Sequence, residues 1–261
     1  MQPIFITGIG TDIGKTVVAA IITEALQAAY WKPVQAGFKD GTDSEWIAER
    51  ITHPHGRILP ETYRLSLPAS PHIAARQEGV QISLDEIGRH YGKINRGLST
   101  TGFGQAPSLA SPSGSSQSPE AQAVATPASV SASSVGSAAP DFLVIEGAGG
   151  LMVPLNGQEF VLDLIKKLDA TVILVSRNYL GSINHSLLTA SVCKAHGLKV
   201  AGWIFNDQYL HYEEEIVKWS GLPALASIPH YENPDTEFIR RQAGLVRASL
   251  TAALSTMSPA H

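Results

Sequence analysis

A lysine and a hydroxyl stand side by side behind a glycine in Thr7-Gly8-Ile9-Gly10-Thr11-Asp12-Ile13-Gly14-Lys15-Thr16. An apolar run (residues 3–6) leads into this segment, and a helix-like run (17–29) follows it. Strand, glycine-rich loop and helix in that order hold nucleotide phosphates. Loop N–H groups point inward and the helix N-terminus adds partial positive charge. Lys15 then reaches the outer phosphates, and the Thr16 hydroxyl reaches Mg²⁺. Five residues separate Gly8 from Gly14, one more than the usual spacing. An ordinary strand-to-helix turn does not explain Lys-Thr placed where a phosphate and a metal need them.

Other residues suit the same chemistry. Glu146 closes the apolar run 142–146 and precedes Gly147-Ala148-Gly149-Gly150. An acid at the end of a buried strand beside a phosphate loop is the usual second Mg²⁺ partner. The glycines let the backbone approach a ligand closely. Lys32 lies in the run 31–35, within Lys32-Pro33-Val34-Gln35-Ala36-Gly37. A buried ammonium needs an anionic partner, which a phosphate site would supply; on an edge strand it would lie in solvent instead. Asp43, in Gly41-Thr42-Asp43, starts a helix-like run (43–50). Alone it reads as a first-turn helix acid, and only its neighbourhood makes it a metal candidate.

Gly181-Ser182-Ile183-Asn184-His185 begins a helix after the run 171–176. Its N–H groups suit a carboxylate, and plain capping by Ser182 fits nearly as well. Asn206-Asp207 ends the run 200–205. An amide there could read a purine edge or serve a turn. None of the nine histidines has metal-ligand spacing, and His72 and His185 receive no catalytic role. The single cysteine, Cys193, rules out an internal disulfide and a cysteine-based zinc site. Its apolar helical setting predicts core packing.

The elements that must position these groups alternate. Strand candidates cover residues 3–7, 31–35, 142–146, 171–176, 200–205 and 224–228. Helix candidates cover 17–29, 43–50, 84–91, 161–168, 183–195, 212–219 and 236–253. The strands are mostly continuous in apolar character and do not alternate, as strands buried on both faces are. This rhythm predicts an α/β fold: one doubly wound, mostly parallel sheet with helices on both faces, binding ligands at the carboxyl ends of its strands. With 261 residues, the chain is expected to form a single domain. Residues 99–139 interrupt the rhythm, with Glu120 their only charge and Phe103 their only aromatic. Such a segment cannot offset its chain entropy, and a flexible surface insertion is expected. A net charge of −4 without a basic run argues against a nucleic-acid partner. No apolar stretch reaches spanning length and no leader pattern opens the chain, so a cytoplasmic protein with no membrane partner is expected.

The ordered motifs resemble the dethiobiotin synthetase family, ATP-dependent enzymes of biotin biosynthesis with a P-loop NTPase fold. They are Thr11-Asp12-Ile13-Gly14-Lys15-Thr16, Trp31-Lys32-Pro33-Val34-Gln35-Ala36-Gly37, Pro68-Ala69-Ser70-Pro71-His72, Val144-Ile145-Glu146-Gly147-Ala148-Gly149-Gly150, Gly181-Ser182-Ile183-Asn184-His185, Ala201-Gly202-Trp203-Ile204-Phe205-Asn206-Asp207 and Ile228-Pro229. The resemblance implies carboxylation and ring closure of 7,8-diaminopelargonate with CO₂ and ATP. It gives Lys15 and Lys32 catalytic roles and Thr16, Asp43 and Glu146 the Mg²⁺. Asp12, Ile13, Gly14, Lys15, Thr16 and Val17 would cradle the phosphates, with Gly147, Ala148 and Gly149 also at the nucleotide. Asn206 and Asp207, with Pro229, His230 and Tyr231, would meet the adenine end. Thr11, Lys32, Ala36 and Gly149 would line the substrate. A homodimer is implied as well, with Gly181, Ser182 and Asn184 of one subunit holding the substrate carboxylate of the other.

Two departures stand out. The family often carries a hydroxyl where this chain has Ala36, and its loss should weaken substrate binding by about 1 kcal/mol or more. The insertion at 99–139 is not expected either. The rival class is the dimerising regulatory ATPases of plasmid partition and division-site selection. They usually bear an extra lysine early in the phosphate loop, and residues 7–11 have none.

Overall fold

The computed structural model describes residues 1–55, 57–100 and 139–257. Apart from its ends, the insertion at 99–139 lies outside the described residues. The chain forms β1 (Gln2–Gly8), α1 (Lys15–Leu26), β2 (Ala29–Trp31), β3 (Val34–Ala36), α2 (Asp43–Ala48), β4 (Ile58–Leu59), β5 (Tyr63–Leu65), α3 (Pro71–Gln77) and α4 (Leu84–Thr100). Then follow β6 (Phe142–Gly150), α5 (Val161–Lys167), β7 (Thr171–Arg177), α6 (Ser182–Ala195), β8 (Val200–Asn206), α7 (Tyr212–Ser220), β9 (Ala224–Ile228) and α8 (Thr236–Met257).

Seven strands make one parallel sheet in the order β4-β2-β6-β1-β7-β8-β9. Alternation along the strands feeds two cores. Phe5, Trp31 and Ile145 pack to one side, against α4 and α5 residues such as Ile87 and Leu164. Ile4, Ile6, Tyr30 and Val144 pack to the other, against α1 and α8. Burying each such side chain contributes about 1.5–3 kcal/mol. Helix α1 is apolar nearly all round because it lies between the sheet and α8; Ala19 and Ala20 are fully buried there. β1 has β6 on one side and β7 on the other, so the loop after β1 opens at the topological switch point, where ligands bind in such sheets.

The structure corrects the expected strand 31–35. It breaks into β2 and β3, which belong to different sheets, β3 pairing only with β5. Pro33 has no N–H for the ladder. Its carbonyl instead accepts from the N–H groups of Thr62 and Tyr63. The break frees Lys32 from a ladder position just where the chain passes the site. β4, β5 and α3 were not anticipated, and α4 runs to Thr100 rather than stopping at residue 91.

Candidate active site

Gly14 caps α1 at φ 84°, and no side chain caps the helix. The first-turn N–H groups therefore keep their capacity for a ligand. A Cβ at Gly14 would sit 2.6 Å from Nδ2 of Asn206, so glycine is required by backbone angle and by space alike. Asn206 ends β8 and is buried; its Nδ2 donates to the Ile13 carbonyl at 2.6 Å. The donor expected at a purine edge is thus bonded to the phosphate loop. Lys15 folds back along the loop and donates to the Gly10 carbonyl at 2.7 Å. Burial pulls its ammonium below the ordinary lysine value.

Four polar side chains converge beyond the loop. The Thr16 hydroxyl lies 2.9 Å from Oε1 of Glu146 and 3.0 Å from Oδ1 of Asp43, and shares its one proton between them. Lys32 Nζ pairs with the same two carboxylates, at 3.1 Å from Glu146 Oε1 and in a short contact with Asp43 Oδ2. Lys32 is 7% exposed and Glu146 is 1% exposed, which removes the solvent-facing alternative for this lysine. Burial lowers the Lys32 pKa, but Glu146 and Asp43 outweigh it and hold the ammonium above its ordinary value. Burial likewise opposes the Asp43 charge, and Lys32 with the Thr16 hydroxyl outweighs it, keeping the carboxyl below its usual range. Asp43 is also a first-turn acid of α2, where Thr42 and Glu45 form a reciprocal cap. The expected first-turn helix acid is therefore also brought beside Thr16, Lys32 and Glu146.

These groups face a cavity of about 810 Å³, also lined by Thr11, Asp12, Ala36, Gly149 and the loop Pro68–Pro71. A smaller cavity of about 170 Å³ lies across the loop, between Ile13, Val17, Asn206, Pro229, Tyr231 and Phe238. At its rim the Asp207 carboxylate is shared by Arg177 Nε at 2.6 Å and His230 Nδ1 at 3.0 Å. Gly181, Ser182 and Asn184 line neither cavity. Ser182 does not cap α6. Gly181 does, at φ 105°, while the buried Ser182 hydroxyl accepts from the Tyr179 N–H at 3.3 Å.

Sequence reasoning missed three residues here. Tyr30 donates its O–H to Glu146 Oε2 at 2.9 Å. Gln35 Nε2 donates to the Gly37 carbonyl and its Oε1 accepts from the Asp43 N–H, tying β3 to α2. Arg177 holds Asp207. Only Tyr30 left a signal, since a phenol in a buried apolar strand needs a partner.

All-oxygen donors, two carboxylates and a hydroxyl beside a phosphate loop, fit a hard divalent cation that shares its shell with phosphates and water. Among the described residues no group of three or more His, Cys, Asp or Glu side chains could hold a metal alone.

The family described as AAA domain matches residues 2–105 and 109–237. The "ATP-dependent dethiobiotin synthetase BioD" of Cytophaga hutchinsonii is 39% identical over 244 residues, 93% of this chain and 96% of the relative. Proteins of the same name from Christiangramia forsetii and Rhodopseudomonas palustris strain BisB18 are each 36% identical, over 94% and 89% of the chain and 96% and 89% of their own length. Among solved structures, the MinC:MinD cell division complex of Aquifex aeolicus aligns with a TM-score of 0.51 at 13% identity, covering 100% of this chain and 98% of that one. That likeness concerns the fold alone. By its identity to these synthetases over nearly its whole length, the chain belongs to the ATP-dependent dethiobiotin synthetase family of P-loop NTPases.

Proposed function

We propose that this chain converts 7,8-diaminopelargonate, CO₂ and ATP to dethiobiotin, ADP and phosphate. The observation that carries the reading is Lys32 held between Asp43 and Glu146, at the end of the phosphate loop and the mouth of the larger cavity. One substrate amine adds CO₂ and loses a proton to give a carbamate. A carbamate oxygen attacks the γ-phosphorus and ADP leaves. The second amine attacks the carbonyl carbon of the resulting mixed anhydride, loses a proton as the five-membered ring closes, and expels phosphate.

Such chemistry asks mainly for positioning and charge neutralisation. Lys15 and the N–H groups of residues 12–17 would hold the phosphates. Lys32, kept cationic by its carboxylate neighbours, would stabilise the carbamate and the transferring phosphoryl group. Thr16, Asp43 and Glu146 would hold Mg²⁺, which neutralises charge on the phosphate oxygens when bound. Gly147, Ala148 and Gly149 would border the nucleotide, and Thr11, Ala36 and Gly149 the diamine. The smaller cavity, with Asn206, Asp207, Pro229, His230 and Tyr231, would take the adenine end.

Gly181, Ser182 and Asn184 are not among the residues that line the larger cavity of their own chain. This goes with a homodimer in which they hold the carboxylate of a substrate bound to the partner. Among the described residues no helix is long and apolar enough to cross a membrane. A cytoplasmic enzyme fits the use of ATP.

ADP release by the purified protein with Mg-ATP and bicarbonate tests the reading, with and without the diamine and with dethiobiotin followed by mass. Diamine-dependent release with dethiobiotin formed supports it. Release indifferent to the diamine overturns it.

A further inference from the structure

We propose that Tyr30 is a positioning residue for the cation–phosphate centre: its phenol O–H, donated to Oε2 of Glu146, aims the other carboxylate oxygen at Thr16 and Lys32. The inference rests on the nucleotide-and-cation reading of that centre.

Tyr30 and Glu146 lie on adjacent parallel strands. Tyr30 is in register with Val144, so Glu146, two residues on, shares its face of the sheet. Both are buried, Tyr30 completely and Glu146 at 1% exposure. The tyrosine ring belongs to the apolar cluster of Ile4, Ile6, Val18 and Ile22, which fixes where its oxygen points. A terminal carboxylate torsion is broad and roughly two-fold, so an untethered Glu146 could exchange its oxygens. Here they are distinguished. Oε1 accepts from Thr16 at 2.9 Å and Lys32 at 3.1 Å, and Oε2 accepts from Tyr30 at 2.9 Å. The phenol also satisfies a buried oxygen that would otherwise lack a partner. Because Tyr30 reaches Oε2 from the same face of the sheet, Oε1 is the oxygen left to Thr16 and Lys32, the two residues that line the cavity. This is the arrangement by which an outer hydrogen bond orients a metal ligand.

Tyr30→Phe removes one oxygen and keeps the packing. Mn²⁺ binding, read by electron paramagnetic resonance on the full chain with ADP present, should weaken about tenfold or more. ADP affinity without metal should not change. In turnover assays kcat should fall and the Mg²⁺ concentration for half-maximal rate should rise, with KM for the diamine unaltered. A merely structural role would lower the melting temperature and leave metal affinity alone. Wild-type Mn²⁺ affinity in folded Tyr30→Phe overturns the proposal. A double-mutant cycle gives a second reading: adding Tyr30→Phe to the Glu146→Gln background should cost no further Mn²⁺ affinity, and an additive loss overturns the proposal. Mn²⁺–ADP binding without any dethiobiotin formation would sink the proposed reaction and leave Tyr30 to the binding data.

Discussion

Nζ of Lys32 stands 3.1 Å from Oε1 of Glu146 inside the protein, with side-chain exposures of 8% and 1%. Removing this cation leaves the carboxylates of Glu146 and Asp43 sharing the Thr16 hydroxyl with no ammonium between them. Lys32→Ala should lose at least about a hundredfold in kcat. It should also melt earlier, by a margin that shrinks when Mg-ADP is added, because a bound cation restores the missing charge. Calorimetric melting with and without Mg-ADP checks this. An undiminished rate would remove Lys32 from the mechanism.

Asn206 clamps the phosphate loop through the Ile13 carbonyl at 2.6 Å. Asn206→Ala should weaken ADP binding roughly tenfold, the equivalent of one buried hydrogen bond of about 1.4 kcal/mol. Titration calorimetry reads this directly. Unchanged affinity would show that the loop holds its shape without the clamp.

Ala36 lines the larger cavity and is half-buried, so a hydroxyl added there would border that cavity. Ala36→Ser should lower KM for the diamine about fivefold, at the scale of one hydrogen bond, with kcat little changed. A higher KM would mean that the pocket has been built around the smaller side chain.

Mixing two variants, each expected to be inactive, tests the proposed sharing of a site between subunits. Lys32→Ala and Asn184→Ala, denatured and refolded together, should regain activity that neither has alone. One site of each hybrid dimer then draws Lys32 and Asn184 from the two intact copies. No recovery, with hybrid dimers present, would confine each site to one chain.

Cys193 is buried in α6 at 1% exposure, and burial pushes its thiol up from 9.0 to about 12. The folded state favours the protonated thiol. Its contribution to stability is therefore complete below pH 9 and is lost as pH rises towards 12. A thiol reagent at pH 8 should label Cys193 only on unfolding. Rapid labelling of the native protein would contradict the buried placement.

The sequence alone determined the phosphate loop and most of the sheet. Gly14, Lys15 and Thr16 are recognisable by spacing within one turn, and strands such as β7 (Thr171–Arg177) show as apolar runs bounded by polar residues. Both signals are local. Tertiary structure alone decided what the charged residues do. Thr16 meets Asp43 across 27 residues and Glu146 across 130, and no local pattern encodes such a meeting. Lys32 read as buried or as solvent-facing until β6 packed beside β2 and brought Glu146 against it. Pro33 split an apolar run that hydropathy treats as continuous, because hydropathy does not register a missing N–H. β4 and β5, two and three residues long, exist only through their pairing partners. Tyr30 fell between the helix expected at 17–29 and the strand expected at 31–35, and lies within β2. That its oxygen ends against Glu146 follows from strand register, which is set when the sheet assembles.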